Sequence, residues 1–316
     1  MKIVFLDHHT LNSDGLSLDD LTSMGDVTLF PTTKAEQVLE RCKDAEVIIT
    51  NKVKLHSRHL DFLPHLKLIV VAATGYNNID IDGCKERGVT VCNVRGYSTE
   101  AVVQHTFSLL LALTNRVRYY SGEVVKGRWD QSGEFSFYDH SIPELHGMVL
   151  GIIGYGNIGK RVSDVATILG MRVIAFKRSW KNEIHSPHEM VNLDTIFEKS
   201  DVISLHCPLN EESKGLICQS SIDKMKNSAL LINTARGGLV VESDLLQALK
   251  SGRIAGAGLD TLNQEPPGDN PLLGIDNCLV TPHMSWATVK SRQNLLEGII
   301  DNIKAFQSGK PMNVIV

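Results

Sequence analysis

A chain of 316 residues that is 42% hydrophobic and 22% charged has room for two domains of ordinary size and can bury their cores, which excludes a disordered protein. Its formal net charge of −4, with no run of about five like charges, argues against nucleic-acid binding, which needs a strongly basic face. The most apolar segment, 101–113, is interrupted by Gln104, His105 and Ser108 and falls short of the roughly 20 apolar residues that span a bilayer. The opening Met1–Asp7 has only a short apolar run before a charge, too little for a signal peptide, so the protein is expected in the cytoplasm and off the membrane. Cys42, Cys84, Cys92, Cys207, Cys218 and Cys278 form no C-x-x-C pair and read as small buried hydrophobes of a reducing compartment; no metal site is expected.

In chain order, Ile3–Leu6, Glu46–Ile49, Leu68–Val71 and Val89–Cys92 are short apolar runs without alternation, as strands buried on both faces of a parallel sheet require. Polar segments of helical length lie between them, for example 34–43 and 80–87, the latter followed by Gly88 where a helix C-cap belongs. Such alternation makes an α/β sheet with right-handed crossovers. Residues 98–118 read as one long helix, apolar around most of its circumference and therefore buried, with Ser98 as N-cap and Glu100 in the first turn. The stretch 122–144 reads as irregular, and its Trp129, Phe135, Phe137 and Tyr138 either cover a neighbouring subunit or pad the chain's own core. A second alternation follows, with strands expected at Met148–Ile153, Arg172–Phe176, Val202–Leu205, Ala229–Ile232, Ala255–Leu259 and Cys278–Thr281. The last segment, 286–308, reads as a helix crossing back onto the first domain. The expected fold is α/β with two doubly wound parallel-sheet domains and a cleft between them: a flavodoxin-like substrate domain, 1–97 plus 286–316, and a Rossmann nucleotide-binding domain, 98–285.

Gly154-Tyr155-Gly156-Asn157-Ile158-Gly159 matches G-x-G-x-x-G directly after the apolar run Val149–Ile153, and it opens a helix reaching about Leu169. A further strand, Arg172–Phe176, closes a βαβ unit of about 30 residues, the context in which this motif binds a dinucleotide. Gly154 permits the tight turn, Gly156 lets a pyrophosphate approach the backbone, and Gly159 allows close helix–strand packing. Where an acid would bind the ribose 2′-OH of NAD, the chain has Lys177-Arg178-Ser179, two cations and a hydroxyl that suit a 2′-phosphate. The cofactor is therefore expected to be NAD(P)(H), with NADP(H) slightly favoured; the alternative is that both basic side chains point into solvent and NAD is used without the acid.

Three polar residues follow later strands, where ligands of such sheets bind. Arg236 follows the run 229–235, Glu265 follows Asp260 by a short loop, and His283 follows Thr281-Pro282. Reducing a ketone by hydride requires a proton for the new alkoxide, and histidine is the usual donor. A carboxylate beside it, Glu265, would favour the imidazolium and hold the ring. Arg236 supplies the planar fork that a substrate carboxylate needs and would polarise the carbonyl.

With those residues in view, the chain resembles the D-isomer-specific 2-hydroxyacid dehydrogenases over essentially its whole length. The matching segments are 72–80 (Ala-Ala-Thr-Gly-Tyr-Asn-Asn-Ile-Asp), 151–159, His206-Cys207-Pro208-Leu209, 232–237, Gly258-Leu259-Asp260, Gln264-Glu265-Pro266-Pro267 and Thr281-Pro282-His283. Within the family it is most similar to the bacterial glycerate dehydrogenases, also called hydroxypyruvate reductases, through Lys2–Asp7, Thr50-Asn51-Lys52 and Ser285-Trp286-Ala287-Thr288. The resemblance implies reversible reduction of a small 2-keto acid, hydroxypyruvate favoured and glyoxylate also taken, to the D-2-hydroxy acid, D-glycerate. It implies carboxylate binding by Arg236 and an acid pair of Glu265 and His283. Thr74 and Gly75 then offer groups to substrate and cofactor, Asp260 holds the nicotinamide carboxamide, and Cys207, Pro208, Ser213, Thr234, Ala235, Arg236 and His283 line the cofactor. Members of the family are usually homodimers. Lys177 departs from the acid common in relatives, Gln104-His105 replaces a Glu-His pair, and Arg95 stands where proline is usual.

Two other readings stay open. A dehydrogenase of the D-lactate type, or for another 2-keto acid, would share the mechanism; Asn51, Lys52 and Trp286, polar or bulky, suit a small polar substrate. A nucleotide-sensing, corepressor-like binding protein would carry extra tails, whereas this chain begins on its first strand and ends soon after its last helix.

Overall fold

Two parallel sheets organise the computed structural model, which describes residues 1–11, 15–179 and 187–316. The chain divides into two units, Met1–Ser98 with Trp286–Val316, and Thr99–Ser285. In the first unit, β1 (Lys2–Phe5), β2 (Asp26–Leu29), β3 (Val47–Thr50), β4 (Leu68–Val71) and β5 (Thr90–Asn93) lie parallel in the order β2-β1-β3-β4-β5. That is the flavodoxin-like order expected of a doubly wound sheet. Side chains of a strand alternate between faces. Ile3, Phe5, Val47, Ile49, Leu68 and Val70 therefore meet Leu295, Ile299 and Ile303 of the helix Val289–Gln307 on one face. Val4, Leu6, Ile48, Ile69 and Val71 build a second core on the other. The strand β2 escapes an apolar-run search because it is an edge: Asp-Val-Thr-Leu alternates between exposed and half-buried and pairs with β1. The helix expected at 80–87 spans Ile81–Glu86, with the Asp80 carboxylate accepting from the Gly83 N–H at 3.0 Å and Gly88 at φ +67° just past its end.

In the second unit, β6 (Val149–Ile153), β7 (Arg172–Phe176), β8 (Glu189–Met190), β9 (Val202–Leu205), β10 (Leu230–Asn233), β11 (Gly256–Leu259) and β12 (Cys278–Val280) run parallel in the order β12-β11-β10-β9-β6-β7-β8. This is the Rossmann order with one strand added beyond β11. Apolar clusters cover both faces, one through Ile153, Ile203, Leu205 and Leu231, the other through Leu150, Ile152, Leu230 and Ile232. The long helix packs its Val103, Phe107 and Leu110 into the latter cluster.

One expectation for this region is corrected. The helix spans Thr99–Asn115 and stops where Arg116 enters the left-handed region at φ +48°. It resumes as Val117–Val125 and Arg128–Ser132, so the start of 122–144 is helical, whereas 133–144 is irregular as expected. Val125, Phe135 and Tyr138 on this segment are exposed at 85%, 93% and 75%. These apolar residues do not pad the chain's own core, although Phe137 sits against Tyr120 and under the Arg128 guanidinium. Among the described residues no helix is long and apolar enough to cross a membrane.

Candidate functional site

Parallel strands put all their C-terminal ends at one sheet edge, so residues far apart in sequence meet there. In the second unit this edge carries the Gly154 loop after β6, Lys177 after β7, Cys207 after β9, Arg236 after β10, Asp260 to Glu265 after β11 and His283 after β12.

The glycine loop has the geometry that a dinucleotide needs. Gly154 adopts φ +101°, and a Cβ there would lie 2.4 Å from the Cys207 nitrogen. A Cβ on Gly159 would lie 2.2 Å from the Gly154 carbonyl oxygen, so the loop and the helix Asn157–Ile168 close only on glycine. A Cβ on Gly156, the N-cap of that helix, would meet nothing within 4 Å, which leaves its backbone open beside the positive end of a 12-residue helix. The residues present therefore fit a dinucleotide's pyrophosphate. Gly156 and Asn157 are exposed and Ile158 half-buried, but Tyr155 is only 3% exposed, its ring in the core with Val162 and Ala166. Tyr155 thus faces inward and offers the loop its backbone alone.

Beyond β7, Lys177 is half-buried and Arg178 and Ser179 are exposed. The Arg178 guanidinium donates from Nη1 to Glu212 Oε2 at 2.9 Å. Glu212 belongs to the loop after β9, where Ser213 Oγ donates to the Pro208 carbonyl at 2.7 Å and accepts the Asn210 N–H at 2.9 Å. Ser213 thus shapes the loop, Pro208 is exposed on it, and Cys207 is half-buried with its thiol pushed up to about 11 by burial. Thr234 is 7% exposed, and its hydroxyl meets Thr106 Oγ1 at 3.2 Å on the inner side, whereas Ala235 is half-buried.

Glu265 and His283 are in direct contact, and Arg236 lies on the turn after β10 at the same sheet edge. Asn233 ties the turn after β10, accepting the Ala235 N–H at 3.0 Å and donating to the Arg236 carbonyl at 2.9 Å. Arg236 is half-buried, with Nη1 donating to the Ala235 carbonyl at 2.7 Å. The next residue, Gly237, lies so close to the following loop that a Cβ would fall 2.0 Å from the Leu262 carbonyl carbon. The Leu262 N–H in turn donates to Glu265 Oε1 at 3.1 Å, and Glu265 Oε2 meets His283 Nδ1 at 2.7 Å. Backbone contact, then carboxylate, then imidazole thus connect the Arg236 turn to His283. The His283 backbone is in the left-handed region at φ +52°, sparsely populated by residues other than glycine, and its N–H donates to the Thr281 carbonyl at 2.9 Å.

The group that holds this turn is Asp260. Its carboxylate accepts the Thr281 hydroxyl at 2.6 Å and the N–H groups of Met284 and Ser285, each at 2.9 Å. His105 Nε2 lies 2.9 Å from Thr281 Oγ1 and 3.4 Å from Asp260 Oδ1. Because the Thr281 hydroxyl donates to Asp260, the imidazole is the donor to Thr281. The Asp260 side chain has no exposed surface, and its contacts clamp 281–285 around His283. Along the sequence, His105 stands out only as a polar break in an apolar segment and as the second member of Gln104-His105. Its signal was a histidine on an otherwise apolar helix. Replacing Asp260 with Asn points an amide at N–H donors; we expect a stability loss of about 1–3 kcal/mol and a fall in kcat at temperatures where circular dichroism shows the variant folded. A folded variant with unchanged kcat would remove the positioning role.

In the first unit, Thr74 and Gly75 follow β4; Thr74 is exposed, with its hydroxyl donating to the Val94 carbonyl at 2.9 Å. Asn51, expected to reach substrate, is only 5% exposed and donates from Nδ2 to Thr10 Oγ1 at 3.2 Å, so its side chain serves the loop. That loop hangs on buried Asp7, whose carboxylate accepts the N–H groups of Asn51, Lys52 and Val53 at 2.9, 2.6 and 3.2 Å. Burial raises the Asp7 pKa, and these backbone donors oppose the rise. Trp286 is partly buried, its ring edge-on to Tyr97 with centroids 6.3 Å apart, against the core of this unit.

Against known proteins, the model of the "D-isomer specific 2-hydroxyacid dehydrogenase, NAD binding domain" family matches residues 107–285. A hydroxypyruvate reductase of Blautia hydrogenotrophica is 39% identical over 321 residues, covering 100% of this chain and 99% of its own. A glycerate dehydrogenase of Methylorubrum extorquens is 41% identical over 318 residues, 99% of this chain and 98% of its own. A solved acyclic imino acid reductase in complex with NADPH and D-Arg superposes with a TM-score of 0.89 at 29% identity, covering 100% of both chains. Matched by relatives along its full length and by the family model across the edge that carries Arg236, Glu265 and His283, this chain belongs to the D-isomer specific 2-hydroxyacid dehydrogenase family.

Proposed function

We propose that this enzyme reduces hydroxypyruvate, and also glyoxylate, to the D-2-hydroxy acid with NAD(P)H, reversibly. The observation that carries the reading is the Glu265–His283 pair, 2.7 Å apart, joined through Leu262 to the Arg236 turn on the sheet edge that also bears the glycine loop. Full-length similarity to a hydroxypyruvate reductase and a glycerate dehydrogenase supports hydroxypyruvate and D-glycerate as the pair. Residues 99–285 act as the nucleotide-binding domain and the first unit as the substrate domain.

Backbone N–H groups at Gly156 and the start of its helix hold the cofactor's pyrophosphate. When bound, a reduced nicotinamide would supply the hydride that C2 of the keto acid requires. Arg236 binds the substrate carboxylate through its fork and draws electron density toward the carbonyl oxygen. Glu265 accepts from His283 Nδ1, which orients the ring and leaves Nε2 to deliver the proton to the oxygen that becomes the hydroxyl. One hydride and one proton thus convert ketone to alcohol; in reverse, His283 takes the proton back.

Both nicotinamide cofactors are accepted in this reading, with NADP(H) slightly favoured. Lys177, Arg178 and Ser179 at the end of β7 supply the cations and hydroxyl for a 2′-phosphate. The enzyme works in the cytoplasm, where reduced nicotinamide is available, as a homodimer. The exposed Val125, Phe135 and Tyr138 on one segment support a self-association surface. A Val125→Asp/Phe135→Glu double variant should elute as a monomer by light scattering with chromatography; a dimer unchanged at micromolar concentration would move the interface elsewhere.

The deciding experiment follows absorbance at 340 nm with hydroxypyruvate, glyoxylate and pyruvate, each with NADH and NADPH. Fastest turnover of hydroxypyruvate is expected. Turnover of pyruvate alone would keep the mechanism and replace the substrate, and no turnover of any keto acid would sink the catalytic reading.

A further inference from the structure

We infer that Glu212 is a specificity-determining residue for the cofactor: its carboxylate competes with a ribose 2′-phosphate for the Arg178 guanidinium. The inference rests on the reading above, in which the end of β7 meets the adenosine ribose. Lys177-Arg178-Ser179, read along the chain, is a plain phosphate-binding signature. The structure adds an acid to it from 34 residues away, with Arg178 Nη1 donating to Glu212 Oε2 at 2.9 Å.

Glu212 is held in place by its loop. Asn210 Oδ1 accepts the N–H groups of both Glu212 and Ser213, at 3.1 and 3.0 Å, and Ser213 Oγ closes the turn onto the Pro208 carbonyl. The backbone that carries the Glu212 carboxylate is therefore fixed at this edge. Both side chains remain largely exposed, at 78% and 71%, so the pair is weak and exchangeable rather than structural.

A ribose with a free 2′-OH leaves the pair intact and loses nothing by it. A 2′-phosphate brings a dianion to a guanidinium already neutralised, beside a carboxylate that repels it. Binding NADP(H) then means breaking the Arg178–Glu212 contact and tolerating the nearby negative charge. Glu212 thus offsets part of what the basic segment contributes, and it keeps the two cofactors close in affinity.

The test is calorimetric titration of the full-length enzyme with NADP+ and with NAD+, for wild type, Glu212→Gln, Arg178→Ala and the double variant. Glu212→Gln should tighten NADP+ by about three- to tenfold and leave NAD+ within about twofold. The gain should shrink at about 0.5 M salt, where exposed charges are screened. Arg178→Ala should weaken NADP+ selectively, and most of the Glu212→Gln gain should vanish when Arg178 is absent. If Arg178→Ala weakens NADP+ while Glu212→Gln changes nothing, Glu212 has no role in selection and the 2′-phosphate reading of Arg178 stands. If neither substitution alters the ratio of NADP+ to NAD+ affinity, the placement of the basic segment at the ribose fails, and this inference with it.

Discussion

Replacing His283 with alanine should lower kcat for hydroxypyruvate reduction by about 10²–10⁴-fold, the usual contribution of a positioned proton donor, with a much smaller change in KM. The residue is exposed enough to reach substrate, with 24% of its side chain open, yet its Nδ1 is engaged by Glu265 at 2.7 Å. Proton transfer is therefore assigned to Nε2, the nitrogen that does not face Glu265. Because the backbone at 283 sits at φ +52°, alanine there adds strain of its own. His283→Asn is the better partner variant, since asparagine tolerates the left-handed region and offers no titrating group. Both variants should lose kcat alike, and added imidazole should restore part of the alanine variant's rate by filling the space with a free proton donor. An asparagine variant that turns over at the wild-type rate would end the assignment. Glu265→Gln should lower kcat less than His283→Ala, because the ring keeps a hydrogen-bond partner but loses the carboxylate.

Arg236→Ala should reduce kcat/KM for the keto acid by about 10²–10³-fold, as expected for losing two charge-assisted hydrogen bonds to one carboxylate. The fall should lie mainly in KM, and inhibition by a dicarboxylate such as oxalate should weaken in parallel. Arg236→Lys should recover little. Lysine keeps the charge but not the planar fork, and the contact from Nη1 to the Ala235 carbonyl that holds the guanidinium against its turn goes with it. A lysine variant with wild-type KM would show that only charge matters at this position. Unchanged KM in the alanine variant would place the carboxylate elsewhere.

Much of this site can be read along the chain, because its signals are local. Mainly apolar runs such as Leu68–Val71, Arg172–Phe176 and Val202–Leu205 have the same bounds in the structure as in the sequence, since burial on both strand faces leaves few polar positions to blur them. The glycine loop is legible for a similar reason: backbone at φ +101° and a helix packed onto a carbonyl exclude side chains at fixed positions. Arg236, Glu265 and His283 stand out because each is a polar residue shortly after an apolar strand. The edge strands β2 and β8 were not legible. One is half-exposed and alternating and the other is two residues long, so neither carries an apolar run.

The sequence by itself thus determined the two doubly wound halves, the cofactor loop and the three residues expected to bind and reduce a keto acid, since all follow from short-range burial patterns and backbone sterics. Only the tertiary structure decided which strand ends become neighbours and where each polar side chain finds its partner. The order β12-β11-β10 sets His283 against Glu265 from 18 residues away. Hydrogen bonds to distant segments engage the side chains of Asn51, Thr234 and Asp260, and core packing holds the Tyr155 ring. Glu212 met Arg178 across the end of the sheet. A buried polar group must be satisfied by whatever the fold brings near it, and that choice depends on contacts between distant segments that no local pattern encodes.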